Sequence, residues 1–163
     1  MPPHLCCRAM NADMPQAIEF AAGLYWRKSM FNGRKCVPAI LELTQGRVRL
    51  LDAGGEVFAA PCAEVSGRVT GLSTLILEAG GRSYDLVGKP SNISPKFTPE
   101  MLDYVRARSA QVPNGTLVAL GVGLNAMGAS PLGALAFAFD FAEMTANIAP
   151  WKTLLPAAGV RMR

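Results

Sequence analysis

The chain has 163 residues, half of them apolar and 17% charged, with a formal net charge of +4. That length holds one domain of about 100–150 residues plus an appendage, and the apolar content with a positive mean hydropathy excludes a disordered or acidic-tail protein. The net charge is small and Lys and Arg form no long runs, so a nucleic-acid footprint, which takes a dense basic stripe with stacking aromatics, is not expected.

Residues 1–14 have no hydrophobic period and contain Pro2 and Pro3, which reads as a flexible leader. Pro15 to Ala22 suits a helical turn, because proline is tolerated at a first helical position. From Leu24 the chain turns aromatic, through Tyr25, Trp26 and Phe31, and reaches Asn32-Gly33, a pair that accepts the positive φ of a tight hairpin. A meander of short strands then runs from Arg34 to Gly88. In Cys36 to Thr44, Val37, Ala39, Leu41 and Leu43 fall on one face, and Glu42 and Thr44 on the other. Pro38 lacks an amide donor, which places this strand at an edge or a bulge. Turns at Gln45-Gly46, Gly54-Gly55, Gly71 and Gly80-Gly81 separate strands at Arg47 to Leu51, Glu56 to Ala60, Val65 to Thr70, Ser73 to Glu78 and Arg82 to Val87. Counted from Leu24 there are about seven, at the even spacing of an all-β sandwich or small barrel.

At Thr98-Pro99-Glu100 the pattern changes. Threonine is a good N-cap, proline suits the first helical position and an acidic side chain complements the dipole. The helix that follows carries Met101, Leu102, Val105 and Ser109 on one side and Asp103, Arg106 and Arg108 on the other, and Val112 to Gly115 ends it. No ionisable side chain occurs from Ala110 to Phe139. Within this stretch Leu117 to Phe139 has the length to cross a bilayer, roughly 20 apolar residues being enough. Ala126, Ser130, Ala134, Ala138 and Ala142 recur every four residues, a small-residue ridge suited to helix packing and self-association. Gly123 and Gly128 equally suit two short helices that fold back on the barrel or pair with another copy. Both readings stay open. Trp151 to Leu155 looks like a short amphipathic segment lying on a surface of protein or lipid, stopped near Pro156 and Gly159.

The chemistry-bearing residues are sparse. Cys6, Cys7, Cys36 and Cys62 form no Cys-x-x-Cys pair and the one histidine, His4, is near the start, so no metal or cofactor is expected. Cys36 and Cys62 lack a neighbouring base and read as structural thiols. Asp52, Glu56, Glu64, Glu78 and Asp85 are scattered over turns and outward positions, which speaks against an enzyme. Residues 1–9 lack the apolar core of a secretory signal, so the expected setting is the cytoplasm or the cytoplasmic face of the membrane.

The order of about seven short strands followed by an amphipathic helix, over Leu24 to Ala110, resembles the pleckstrin-homology-like superfold. The resemblance implies a mainly β fold, an open seven-stranded barrel capped by a helix over residues 15–112, here followed by a Gly/Ala-rich helical tail over 113–163. It also implies a non-enzymatic binding or scaffolding module, whose partner is a protein, a second copy or an anionic lipid surface. Members that bind phosphoinositides place basic residues around the first hairpin, and the matching positions are Lys28, Arg34 and Lys35. The alternative is an accessory subunit that docks on a larger complex through its C-terminal tail.

Overall fold

The computed structural model describes residues 19–28, 36–88, 95–111 and 136–163. Seven strands come first: β1 (Phe20–Arg27), β2 (Cys36–Thr44), β3 (Arg47–Asp52), β4 (Gly55–Pro61), β5 (Ser66–Val69), β6 (Thr74–Ala79) and β7 (Arg82–Val87). Helices α1 (Pro99–Gln111) and α2 (Ala136–Ala157) follow, and then a short strand β8 (Arg161–Met162). All eight strands belong to one sheet in the order β4-β3-β2-β1-β7-β6-β5-β8, so that β4 and β8 are its edges.

The expected alternation sets most of this register. Leu41 pairs with Leu50 and Leu43 with Val48 across the β2–β3 hairpin, and Leu75 with Leu86 and Leu77 with Tyr84 across β6–β7. All of these side chains are buried. Gln45 and Gly46 take the positive φ that their two-residue turn needs. β1 joins the two halves: it pairs with β2 over its full length but with β7 only at Tyr25, Trp26 and Arg27.

The sheet is curled rather than flat. β4 and β7 are four positions apart in the sheet order, which on a flat sheet would separate them by about 19 Å. Yet the rings of Phe58 and Tyr84 have centroids 4.6 Å apart, with Trp26 against the same Tyr84 at 5.7 Å. A register shift between Leu50 and Leu51 in the β3–β4 pair adds local twist to this half.

The enclosed face carries the main core, and α2 closes onto it. Ile148, Trp151 and Leu155 are fully buried there, and the Trp151 ring meets Phe20 edge-on at 4.9 Å. The end of α2 is a Schellman arrangement: Val160 N–H donates to Leu155 O and Gly159 N–H to Pro156 O, with Gly159 at φ +96°. Val160 and Leu155 are both buried, as often accompanies the motif, and the turn delivers the chain into β8. There Arg161 N–H donates to Val65 O and Arg163 N–H to Gly67 O, a parallel pairing on β5. Helix α1 begins as read, with Thr98 Oγ1 accepting from Met101 N–H at 3.3 Å. Its Met101 and Val105 are buried, and its lead-in residue Phe97 packs edge-on against Tyr25 at 5.1 Å.

Three expectations change. The sheet has eight strands rather than seven, because the short β8 returns to β5. The first strand begins at Phe20, not Leu24: Phe20, Ala21 and Ala22 are extended and buried against Leu43, Glu42 and Leu41, so the end of the stretch read as a helical turn is sheet. The described part of the C-terminal region forms α2 and β8 in place of a Gly/Ala-rich helical tail. Trp151 and Leu155 pack into the core, the protein side of the reading that lays this segment on a surface of protein or lipid.

Candidate functional site

A row of four residues crosses the outer face of the first half of the sheet. Ala21 on β1 pairs with Glu42 on β2, Glu42 with Arg49 on β3, and Arg49 with Ala59 on β4. Opposite charges facing each other across a strand pair attract, which favours this register. Helix α1 lies over the same face and brings Tyr104 and Arg108 to the row. The side chain of Glu42 is only 1% exposed. Its Oε2 accepts from Arg49 Nη1 at 3.0 Å and from the Tyr104 hydroxyl at 2.9 Å. Its Oε1 lies against Arg108 Nε as a close charge contact rather than an aligned hydrogen bond. A carboxylate taken from water costs several kcal/mol unless it is paired, and three partners supply that pairing.

The network extends at both ends. Arg49 Nε donates to Glu56 Oε2 at 2.9 Å. Arg108 Nη2 donates to Glu19 Oε2 at 2.9 Å and to Thr44 Oγ1 at 3.2 Å, and Glu19 Oε1 accepts the Gln45 N–H at 2.8 Å. Burial alone would raise the Glu19 pKa, but the Gln45 amide, the Thr44 hydroxyl and Arg108 together hold it below the ordinary value. Burial likewise works against the charges of Arg49 and Arg108. Hydrogen bonding to Glu56 and the charge of Glu42 outweigh it for Arg49, and the charge of Glu42 with the bond to Glu19 outweighs it for Arg108. The Tyr104 hydroxyl is pushed up, first by burial and then by its bond to Glu42. Glu19, Arg49 and Arg108 are therefore held in their charged forms, and Tyr104 in its neutral form, over the neutral range.

Beside this network the sheet and α1 enclose an open groove of about 420 Å³, lined by Arg47, Arg49, Glu56 and Ala59 from the strands and Tyr104 and Arg108 from the helix. Arg47 is exposed and donates Nη2 to the Ala59 carbonyl at 3.2 Å. It is ion-paired with no carboxylate among the described residues.

The residues singled out from the sequence are distributed differently. Lys28 is held within the fold, its Nζ 3.1 Å from Asp52 Oδ2 and 4.7 Å from the centre of the Trp26 ring, although its side chain is 48% exposed. Arg34 and Lys35 lie outside the described residues, as do Ala126, Ser130 and Ala134. Ala138 and Ala142 fall within the helical span of α2. The stretch Leu117 to Phe139 lies outside the described residues except at its end. Among the described residues, no helix is long and apolar enough to cross a membrane, and no group of His, Cys, Asp and Glu is placed to hold a metal ion. Cys36 and Cys62 are both buried, and the Cys62 thiol is pushed up by burial.

Glu42, Arg49, Tyr104 and Arg108 were not singled out together. One signal for them was present: Glu42 is a lone charge inside the apolar run Ala39 to Leu43, and the two-residue turn at Gln45-Gly46 places Arg49 opposite it. Arg108, read as pointing away from the apolar side of its helix, instead turns to the sheet because its partners are charged. Compared with known proteins, the chain matches no family model, no curated protein and no solved structure.

Proposed function

We propose that the chain is a non-enzymatic binding or scaffolding module of pleckstrin-homology-like architecture, and that its recognition surface is the groove between the outer face of β3–β4 and α1. The observation that carries this reading is the Glu42 network. It fixes Arg49, Tyr104 and Arg108 along the walls of an open polar groove, and polar groups held in place before binding lose little freedom when a partner arrives. The order of β1 to β7 in the sheet and the curl that brings Phe58 onto Tyr84 support the architectural part of the reading. The C-terminal residues Ile148, Trp151 and Leu155 are buried against the chain's own sheet, which favours the groove over the end of α2 as the docking surface.

The test is site-directed crosslinking in the full chain. A photoreactive residue replacing Ala59 lines the groove, whereas one replacing Ser83 sits on the exposed outer side of β7. Irradiated in cell extract, the Ala59 position is expected to give a discrete adduct that the Ser83 position lacks. Equal labelling at both positions, or none at either, would overturn the reading.

A further inference from the structure

The groove is unbalanced in hydrogen-bonding capacity. Its acceptors are largely engaged: Glu42 meets Arg49, Tyr104 and Arg108, and one oxygen of Glu56 takes Arg49 Nε. Its donors are not. A guanidinium carries five N–H groups in a fixed planar fork. Arg49 uses Nε on Glu56 and one Nη1 hydrogen on Glu42. Arg47 uses one on the Ala59 carbonyl. The two arginines stand two residues apart on β3 and so project from the same face. Arg47 is exposed, and the side chain of Arg49 is 30% exposed, so the remaining N–H groups reach the groove.

We infer that Arg47 and Arg49 form a receptor for a carboxylate or phosphate group carried on a small ligand. The inference rests on the binding-module reading and adds the ligand's chemistry to it. A planar fork offers two parallel N–H groups to an oxyanion, which an ammonium cannot do. Arg47 is the main anchor, because Glu56 and Glu42 already offset the charge of Arg49, while among the described residues no carboxylate offsets that of Arg47. Tyr104 is a positioning residue here: its hydroxyl is bonded to Glu42, and through it the guanidinium of Arg49 is held in place. The groove volume, about 420 Å³, is within the range of roughly 300–1,000 Å³ occupied by small-molecule sites. There is thus room for the body of a small molecule beside its anionic group.

The experiment is an NMR titration of the full chain with inorganic phosphate, O-phosphoserine and succinate, each against sodium chloride at equal ionic strength to remove simple screening. Saturable shifts confined to the amides of Arg47 to Arg49 and Ala59 are expected with at least one of the three probes. A response to the two phosphates alone identifies a phosphate group, and a response to succinate alone a carboxylate. Arg47→Gln should weaken that binding by at least about tenfold, the scale of one lost charge-assisted bond, while Lys28→Gln leaves it unchanged. Arg47 is exposed, so its variant should melt as the parent does. Shifts no different from those with chloride, or binding undiminished in Arg47→Gln, would overturn the oxyanion receptor. If the crosslink at Ala59 still forms in that event, the groove remains a docking surface and only its ligand class is wrong. If the crosslink is absent as well, both readings fall.

Discussion

The hydroxyl of Tyr104 on α1 donates to Oε2 of Glu42 on β2 at 2.9 Å, joining residues 62 positions apart in the chain. It is a bond between helix and sheet made to a carboxylate that water does not reach. Tyr104→Phe should cost about 1.5–3 kcal/mol in urea unfolding, the range for hydrogen bonds to charged groups. In a Glu42→Gln background the same substitution should cost about half as much, since a neutral acceptor makes a weaker bond. Equal costs in the two backgrounds would show that the pair is not coupled.

Two groups of the network give the fold a pH dependence with opposite limits. The folded pKa of Glu19 lies below its ordinary 4.5. Its contribution is therefore complete above about pH 4.5 and is lost as the pH falls through the folded value. The stability gap between the parent and Glu19→Gln should be constant near neutrality and close in acid. Tyr104 is the reverse case, raised above its ordinary 10.0. Its contribution is complete below about pH 10 and is lost as the pH rises through the folded value, so the parent should lose its advantage over Tyr104→Phe only in strong alkali. Denaturant titrations across both ranges check the two signs.

Trp151 is fully buried against Phe20 where α2 closes the sheet. Trp151→Ala removes a large ring from a packed interior and should cost about 3–5 kcal/mol. Trp151→Phe keeps the aromatic contact and should cost less. Denaturant midpoints give the order, and an Ala variant as stable as the parent would place the helix off the core.

Gly67 occupies a close approach between three strands. A Cβ there would lie 2.9 Å from Leu77 Cδ2 and 3.2 Å from both the Ile76 carbonyl oxygen and Met162 Sδ. Gly67→Ala should therefore cost about 1–3 kcal/mol and push β8 away from β5. Hydrogen exchange at the amides of Arg161 and Arg163, which donate to β5, should accelerate by more than exchange in β2.

Much of the sheet was legible because its turns and its alternation agree. Gln45-Gly46 and Gly80-Gly81 mark hairpins whose flanking leucines do face the core. The first strand was misplaced because Phe20 to Gly23 lacks polar alternation: both faces are covered, so Ala21 and Ala22 are buried alike. The same double covering hid the groove network. Alternation assigns a polar residue such as Glu42 to solvent, and only the helix packed on that face, from far along the chain, reverses the assignment. For Trp151 the clue was local, since Ile148, Trp151 and Leu155 share one side of a helix. For β8 there was none, because two residues are too few to show a period.

That two-residue strand also bears on how the protein behaves in a crowded solution. An uncovered strand edge offers its backbone to any other extended chain, and edge-to-edge growth of that kind leads to aggregation. β8 covers the Ser66-Gly67 part of this edge on β5, with the Val65 and Gly67 carbonyls already occupied, and Arg161 within it and Arg163 after it are exposed charges that discourage a further strand from adding. The Schellman turn at Gly159 thus ends the helix and also aims a charged strand at the edge of β5.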